Sequence, residues 1–289
     1  MTGGGPIFLG GIAHSGKTPL RRALGAHPAI SMTRKTYTWR RYDGRYGDLS
    51  DPENLDELLG AMESDADLDT LGPDFDRIRD ELSDGPATYS RLFGLLHAHH
   101  AERLGKPRWG DQQGFVERYA DQILETWPDA RFIHLVRDPR DANSPRIHRS
   151  AGKLGWYTAK WAESADWALR NSLHHSDNYL VLKYEDLRKA PEPTIRRVCS
   201  FISEGFFPGM LDAMGKSALQ HDRATLSAAS AGLSASAMAF VQSHTQDRLE
   251  CLGYPLESHD HSQFAHPRPV DLLGLAAWRI VRPSSDRAS

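Results

Sequence analysis

Residues 7–20 read Ile-Phe-Leu-Gly-Gly-Ile-Ala-His-Ser-Gly-Lys-Thr-Pro-Leu. The apolar run from Ile7 to Leu9 predicts a short buried strand, because short apolar runs bounded by turn residues are typical of sheet interiors. A glycine-rich turn follows from Gly10 to Gly16, and the apolar spacing after Lys17 predicts a helix. This strand, loop and helix form the unit around which we expect the rest of the chain to fold.

The predicted helix start is suited to an anion. Glycines let backbone N–H groups converge, and the unpaired amides and dipole of a helix N-terminus favour phosphate or sulfate. Gly11 to Thr18 also match the pattern G-x-x-x-x-G-K-T, the P-loop that binds nucleotide phosphates. The alternative is an ordinary strand-to-helix turn that happens to contain glycines.

Composition limits the class of protein. The chain has 289 residues, a formal net charge of −3, 39% hydrophobic and 25% charged residues, which is ordinary for a globular protein. The acidic balance argues against a general nucleic-acid binder. Cys199 and Cys251 form neither a metal spacing nor a disulfide framework. We find no N-terminal signal and no apolar run long enough to span a membrane, and we therefore expect a cytoplasmic protein.

A second motif follows a later apolar run. Residues 131–136 predict a central strand, and it ends in Arg137-Asp138-Pro139-Arg140-Asp141. Polar groups at the carboxyl ends of parallel strands line the edge where open α/β sheets bind ligands. Guanidinium groups bind phosphate with two hydrogen bonds, so the arginines predict a second anion site. They are Arg137, Arg140, Arg146 and Arg149. The alternative is a network of Arg–Asp ion pairs in a loop.

Two intervening segments have distinct compositions. Residues 33–47 are basic and aromatic, which indicates either a solvated loop or a loop that faces an anionic or aromatic ligand. Residues 51–84 are acidic with helical stretches, and an amphipathic helix follows to about Leu104. The histidines of that helix, at 97, 99 and 100, do not share one face, and we expect no metal there.

Strands alternate with helices along the chain, which favours an α/β fold with helices on both faces of a parallel sheet. We expect one α/β domain over 1–269, with 51–105 as a mostly helical insertion, and a C-terminal amphipathic helix and tail over 270–289. Residues 220–236 predict a mobile loop. The terminal helix is expected either to pack on the domain or to contact a membrane surface or a partner peripherally.

Together these segments resemble the sulfotransferases that use 3′-phosphoadenosine 5′-phosphosulfate (PAPS), in particular bacterial enzymes for small molecules and carbohydrates. Residues 10–20 are similar to the family's 5′-phosphosulfate loop, and residues 132–141 to its 3′-phosphate strand, loop and helix. Residues 179–193, with Lys183-Tyr184-Glu185-Asp186-Leu187, are similar to a later strand and helix start. The resemblance implies a P-loop NTPase-like three-layer fold with a parallel sheet of about five strands.

The resemblance also implies the donor site. The 5′-phosphosulfate would contact loop residues, which are Gly11, Ala13, His14, Ser15, Gly16, Lys17, Thr18 and Pro19. The 3′-phosphate would contact Arg137 and Ser144. The product of the donor would be 3′-phosphoadenosine 5′-phosphate (PAP), and no metal is required in this family.

The sequence departs from the family pattern at several of these positions. His14 stands where Arg or Lys is common, and Lys17 where Thr is common. Pro145 occupies the usual position of the 3′-phosphate serine, with Ser144 one residue earlier. A Lys-Thr-Pro is replaced by Gln112-Gln113-Gly114, and 31–36 lack the carboxylate that serves as a base in related enzymes.

Several residues are candidates for proton transfer and charge stabilisation. His14 is the first candidate for the base, since an imidazole exchanges protons near neutral pH. Asp111 is the second, and Glu117 and the histidines of the 86–104 helix come after it. Lys17, beside the transferred group, is expected to stabilise the charge that develops on the bridging oxygen.

The acceptor site is predicted only by analogy, with segments 33–47 and 220–236 as its walls. We expect Lys35, Tyr37, Trp39 and Arg40 to contact the acceptor. The basic side chains favour an anionic acceptor and the aromatic ones an apolar acceptor, so a small molecule, a glycan and a lipid all stay open. The oligomeric state is not predicted.

The main hypothesis is transfer of a sulfonate group from PAPS to an acceptor hydroxyl. One alternative is an ATP-dependent P-loop kinase, in which Asp111 would have to bind magnesium. Another is a nucleotide-binding homologue whose altered positions leave it without turnover.

Overall fold

The computed structural model describes residues 4–34, 36–142, 153–215, 233–257 and 269–281. Its five strands are β1 (Ile7–Gly10), β2 (Ile30–Met32), β3 (Arg108–Gln112), β4 (Arg131–Val136) and β5 (Tyr179–Lys183). They form one sheet in the order β2-β3-β1-β4-β5, and every neighbouring pair is parallel. The predicted α/β class and the number of strands are confirmed. Residues 108–111 also predict a short strand, so the sequence indicates four of the five strands, and β2 is the one without a sequence prediction.

Helices of nine or more residues connect most of the strands. They are α1 (Lys17–Ala26), α3 (Pro52–Glu63), α4 (Phe75–Ser83), α5 (Tyr89–Arg103), α8 (Lys153–His174), α10 (Pro191–Phe201), α12 (Ala235–Cys251) and α13 (Pro269–Val281). Shorter helices are α2 (Thr38–Tyr42), α6 (Ala120–Thr126), α7 (Pro139–Ala142), α9 (Tyr184–Lys189) and α11 (Gly209–Met214). Single turns of 3₁₀ helix cover Asp69–Leu71 and Val116–Tyr119.

The strand β1 shows why the sheet needs a layer on each face. Its side chains alternate, and all four residues of the strand are buried. Phe8 packs in a cluster with Phe93 and Phe132 on one face. Ile7 and Leu9 belong to a second cluster, built with α1 and with helices that follow β5. A strand buried on both faces is typical of parallel sheets in three-layer folds.

The C-terminal helix α13 packs against α8. A Cβ on Gly155 in α8 would collide with the backbone oxygen of Asp271, so the two helices approach at a position that only glycine allows. Trp278 of α13 is buried in a third cluster with Phe115 and Trp161. Leu273 on the same helix is exposed. Within the described ranges, no helix is both long and apolar enough to cross a membrane.

Several predictions fall partly or wholly on residues outside the described ranges. These residues include Lys35, Ser144, Arg146 and Arg149, and the predicted loop over 220–236 falls there except for its last residues. The proposed division of the chain at 269 stays a prediction.

Candidate active site

The loop between β1 and α1 is built around two glycines with positive φ angles. Gly11 has φ 105° and Gly16 has φ 92°. A Cβ on Gly11 would collide with the backbone oxygen of Leu135, and one on Gly16 with the ring of Tyr184. Among the described residues, no side chain caps the start of α1 and its first turn has no acidic residue. The first-turn amides of α1 are therefore suited to an anion.

Two side chains of the loop are buried. The Lys17 ammonium donates hydrogen bonds to the backbone oxygens of Gly11 and, at 2.5 Å, Ile12, and the side chain is 7% exposed. The Ser15 hydroxyl is buried without a hydrogen-bond partner in the described part of the chain. It lines a narrow cleft together with Arg137 and Trp161. The loop therefore offers a positive charge and an unsatisfied hydroxyl beside the helix N-terminus.

Other loop residues face solvent. Ala13, His14 and Thr18 are exposed, and Pro19 is half-buried. His14 has φ 68°, which is uncommon for a residue with a side chain, and its ring lies 6.4 Å from the ring of Tyr157. Residues with side chains that adopt this backbone conformation are often found at functional sites. The geometry leaves His14 accessible to a ligand that approaches the loop.

A buried polar network supports the loop from below. Glu117 is fully buried, and its two carboxylate oxygens accept hydrogen bonds from the Gly11 N–H at 3.2 Å and the Ser164 hydroxyl at 2.8 Å. The His134 ring contacts the Ser164 hydroxyl at 3.0 Å and the Tyr179 hydroxyl at 2.6 Å. These contacts connect the loop to β4, β5 and α8.

The charges of this network follow from burial and hydrogen bonding. Burial opposes ionisation of Glu117, yet the nearby His134 and the bonds from Ser164 and Gly11 hold its pKa below the ordinary value. Burial lowers the pKa of His134, against the attraction of Glu117. We therefore assign an ionised Glu117 and a neutral His134 at neutral pH.

The carboxyl end of β4 carries Arg137. Its guanidinium is paired with Asp141 at 2.7 Å, donates to the backbone oxygen of His14 at 3.3 Å, and lies 4.6 Å from the centre of the Tyr184 ring. The Arg137 side chain is 21% exposed, so it can still reach a ligand. The two motifs that the sequence singled out are thus in direct contact.

Arg140 differs from Arg137. It is 5% exposed and bonds to Asp138, to the side chain of Gln242 and to the backbone oxygen of Pro255. The prediction that Arg140 belongs to the second anion site is not supported by this placement, because every direction of its guanidinium is used internally. Arg140 instead fits the alternative interpretation of this motif, a network of Arg–Asp ion pairs in a loop.

Asp111 lies at the end of β3 but is 0% exposed. It accepts hydrogen bonds from Thr33 at 2.7 Å, Thr36 at 3.2 Å and Gln113, and the His97 ring is 3.7 Å away. Burial alone would raise its pKa, but His97 and these donors lower it overall. In this position the carboxylate is occupied and reaches neither an acceptor hydroxyl nor a metal ion without rearrangement.

The segment 33–47 contributes less surface than its composition indicates. Trp39 is 1% exposed and packs against Tyr89, Phe93 and Tyr119 in the core, so the prediction that it contacts the acceptor does not fit its position. Tyr37 is half-buried and Arg40 is exposed, with the guanidinium 5.6 Å from the Tyr37 ring.

Sequence reasoning missed two features of the site. Tyr184 was part of a recognised motif, but its contact with Gly16 and Arg137 has no local signal. Glu117 was only a distant candidate for the base, because a glutamate side chain is normally exposed. Its burial results from contacts with residues far away in the sequence.

The sequence model of the sulfotransferase family matches residues 6–208. The chain belongs to the sulfotransferase family. The match includes both motifs of the site, with the loop after β1 and Arg137 after β4.

Individual sulfotransferases are similar over parts of the chain. Mouse (Mus musculus) sulfotransferase 2A1 is 31% identical over 105 residues, which cover 30% of this chain and 36% of the mouse protein. A putative protein-tyrosine sulfotransferase of Caenorhabditis briggsae is 23% identical over 218 residues, covering 71% of this chain and 68% of the relative.

The solved structure of the sulfotransferase domain from the Synechococcus PCC 7002 olefin synthase has the same fold. It superimposes with a TM-score of 0.56 at 18% identity, covering 89% of this chain and 98% of that domain. At this level of identity the similarity concerns the architecture alone.

Proposed function

We propose that this chain transfers a sulfonate group from PAPS to a hydroxyl of an acceptor molecule. The proposal rests on one observation. Two elements suited to bind anions are in contact at the ends of the neighbouring strands β1 and β4. Arg137, after β4, donates to the backbone oxygen of His14 in the loop after β1 at 3.3 Å. A donor with a 5′-phosphosulfate and a 3′-phosphate carries two separate anionic groups, which two such elements can hold together.

The residues present fit this donor. In the described part of the chain, no side chain caps the start of α1 and the Ser15 hydroxyl is buried without a partner, and Lys17 adds a positive charge. We assign the 5′ end of the donor to these groups. Arg137 is assigned to the 3′-phosphate, with the Tyr184 ring holding its guanidinium in place.

Chemically, the donor supplies a sulfonate group on an oxygen that leaves with the nucleotide. The amides of α1 and Lys17 would stabilise negative charge at that oxygen, a contribution that depends on fixed donors in a site shielded from water. Glu117 would fix the loop by holding the Gly11 N–H. His14 is the base that we propose for the acceptor hydroxyl, since it is the exposed titratable side chain of the loop.

On the acceptor side we retain Tyr37 and Arg40, which the structure leaves partly or fully exposed. Trp39 is omitted because it is in the core. The kinase hypothesis finds no support, because its candidate magnesium ligand, Asp111, is buried and hydrogen-bonded.

The decisive experiment is calorimetric titration of the protein with PAP, ADP and ATP, each with and without magnesium. We expect PAP to bind without magnesium and much more tightly than ADP, whose second phosphate is attached to the 5′-phosphate and not to the 3′ oxygen. A preference for ATP with magnesium would replace the proposal with the kinase hypothesis.

Turnover separates an active enzyme from an inactive homologue. Incubation with PAPS and a panel of phenols, sugars and lipid alcohols, followed by mass spectrometry, should reveal a sulfonated product. PAP binding without any product across the panel would favour the homologue without turnover.

A further inference from the structure

Lys160, in the second turn of α8, has an unusual environment. Its ammonium lies 5.4 Å from the centre of the Phe115 ring, 6.0 Å from that of Tyr157 and 5.1 Å from that of Trp278. The residue is partly buried. In the part of the chain that the structure describes, its side chain makes neither a hydrogen bond nor an ion pair. Cation–π contacts replace only part of the hydration that such a charge loses.

The charges around Lys160 are mostly of the same sign. Burial lowers its pKa, and the guanidinium groups of Arg40 and Arg118 lower it further, while Glu163 opposes them. Glu163 is already engaged, because it pairs with Arg118 at 2.5 Å and accepts the indole N–H of Trp278 at 2.7 Å. The cluster therefore has a net positive charge, and an incoming anion would reduce the repulsion between its positive groups.

The position of Lys160 connects this charge to the candidate active site. Both groups are near the Tyr157 ring, whose centre is 6.4 Å from that of the His14 ring and 6.0 Å from the Lys160 ammonium. The next residue along α8, Trp161, donates its indole N–H to the backbone oxygen of Arg137 at 2.7 Å. The helix thus fixes Lys160 beside both halves of the site.

We propose that Lys160, together with Arg40, forms an anion-binding subsite for the acceptor, and that the acceptor is a hydroxyl compound carrying a carboxylate or phosphate group. This inference rests on the proposed function, since it assigns the groups beside His14 to the acceptor. The three rings surround the ammonium, and Arg40, whose positive charge acts on Lys160, is exposed to solvent. An anion held here would direct the rest of the acceptor toward the loop.

The test compares three probes of similar shape. They are para-hydroxyphenylacetate, para-hydroxyphenyl phosphate and the neutral para-hydroxyphenylacetamide. Affinities are measured by titration, with and without saturating PAP, for the native protein, Lys160→Met and Lys160→Arg. The methionine keeps the length of the side chain and its contacts with the rings. Lys189→Met, which removes an exposed positive charge on α9, is the matched control.

We expect the native protein to bind at least one anionic probe roughly tenfold more tightly than the amide, the size of one charge-assisted hydrogen bond. Lys160→Met should abolish this preference, and Lys160→Arg and Lys189→Met should keep it. The relative affinity of the two anionic probes then decides between carboxylate and phosphate.

Equal affinity for all three probes, or no binding of any of them, would overturn the subsite. A Lys160→Met protein that loses affinity for PAP but keeps its preference for anions would instead place the ammonium in the donor site, and would also overturn it. Failure of the proposed donor is distinguishable, because PAP would then not bind while the Lys160-dependent preference persisted without it.

Discussion

The Glu117 carboxylate accepts the backbone N–H of Gly11 at 3.2 Å, so a buried negative charge supports a loop that is suited to bind anions. Removing the carboxylate leaves this N–H without its partner and leaves the Ser164 hydroxyl with the His134 ring alone. We expect Glu117→Ala to lower the free energy of unfolding by about 1–3 kcal/mol, the usual cost of an unsatisfied buried group. Urea denaturation measures this change.

The same substitution tests whether Glu117 positions the loop. Glu117→Gln can still accept the Gly11 N–H, and we expect it to retain PAP affinity that Glu117→Ala loses. Ser164→Ala, which removes the other bond to the carboxylate, serves as the control for general disturbance of the network. Equal PAP affinity in all three variants would contradict a positioning role.

Lys17 is buried and is bonded to two backbone oxygens of its own loop. If its ammonium stabilises the leaving oxygen, Lys17→Ala should reduce kcat/KM for PAPS by a factor of about 100, the range found for loss of one such donor. Steady-state kinetics give this number, and circular dichroism checks that the protein is folded. Unchanged turnover would remove Lys17 from the mechanism.

His14 is exposed beside the loop with a strained backbone. As the base, it should affect turnover more than binding, so His14→Ala should reduce kcat by a factor of about 100 or more with little change in PAP affinity. A pH profile of kcat is the measurement that decides. A variant with the native rate at every pH would require another base.

Arg137 and Arg140 form a matched pair, one partly exposed and one internal. Arg137→Ala should weaken PAP by about 1.5–3 kcal/mol, the range for a hydrogen bond to a charged group, while affecting adenosine 5′-phosphosulfate much less. Arg140→Ala should instead destabilise the fold by about 1–3 kcal/mol, because it removes the ion pair of the half-buried Asp138 and the bonds to Gln242 and Pro255. Calorimetry and urea denaturation separate the two effects, and equal losses for both nucleotides would place Arg137 outside the 3′-phosphate site.

Asp111 should prove structural. Folding lowers its pKa, so its contribution to stability is present above the ordinary aspartate value of about 3.9 and disappears as the pH falls through the folded value. Asp111→Asn should therefore cost about 1–3 kcal/mol at pH 7, and the difference should shrink in acid. Turnover per folded molecule should be unchanged. A stable variant without activity would restore Asp111 as a catalytic candidate.

The sequence predicted the elements that local pattern determines. Local sequence was sufficient to predict three of these elements. They are the strand β1, the glycine-rich turn after it and the strand β4 before Arg137. Their observed bounds differ from the predicted ones by at most one residue. The strand β2 was missed because it has three residues with a polar serine in the middle, and it exists through pairing with β3.

The misplaced and missed site residues have a common physical reason. Trp39 lies in a five-residue helix whose flanking arginines indicate surface, but rings more than 45 residues away in the sequence bury it. Glu117 and Lys160 are charged residues in helical segments, for which exposure is the normal expectation. Only the packing of α8 and α13 against the loop region creates their environments.

The contact between Gly155 and Asp271 lies outside the proposed donor site, and a substitution there would change how α8 and α13 pack. A methyl group at 155 would act as a wedge between α8 and α13, because the backbone oxygen of Asp271 occupies that space. Loosening α13 in this way would also withdraw Trp278 from Lys160, while Lys17 and Arg137 keep their chemistry. On the proposed function, binding of the acceptor would then weaken and the preference among acceptors would change, without substitution of any residue that we assign to the donor.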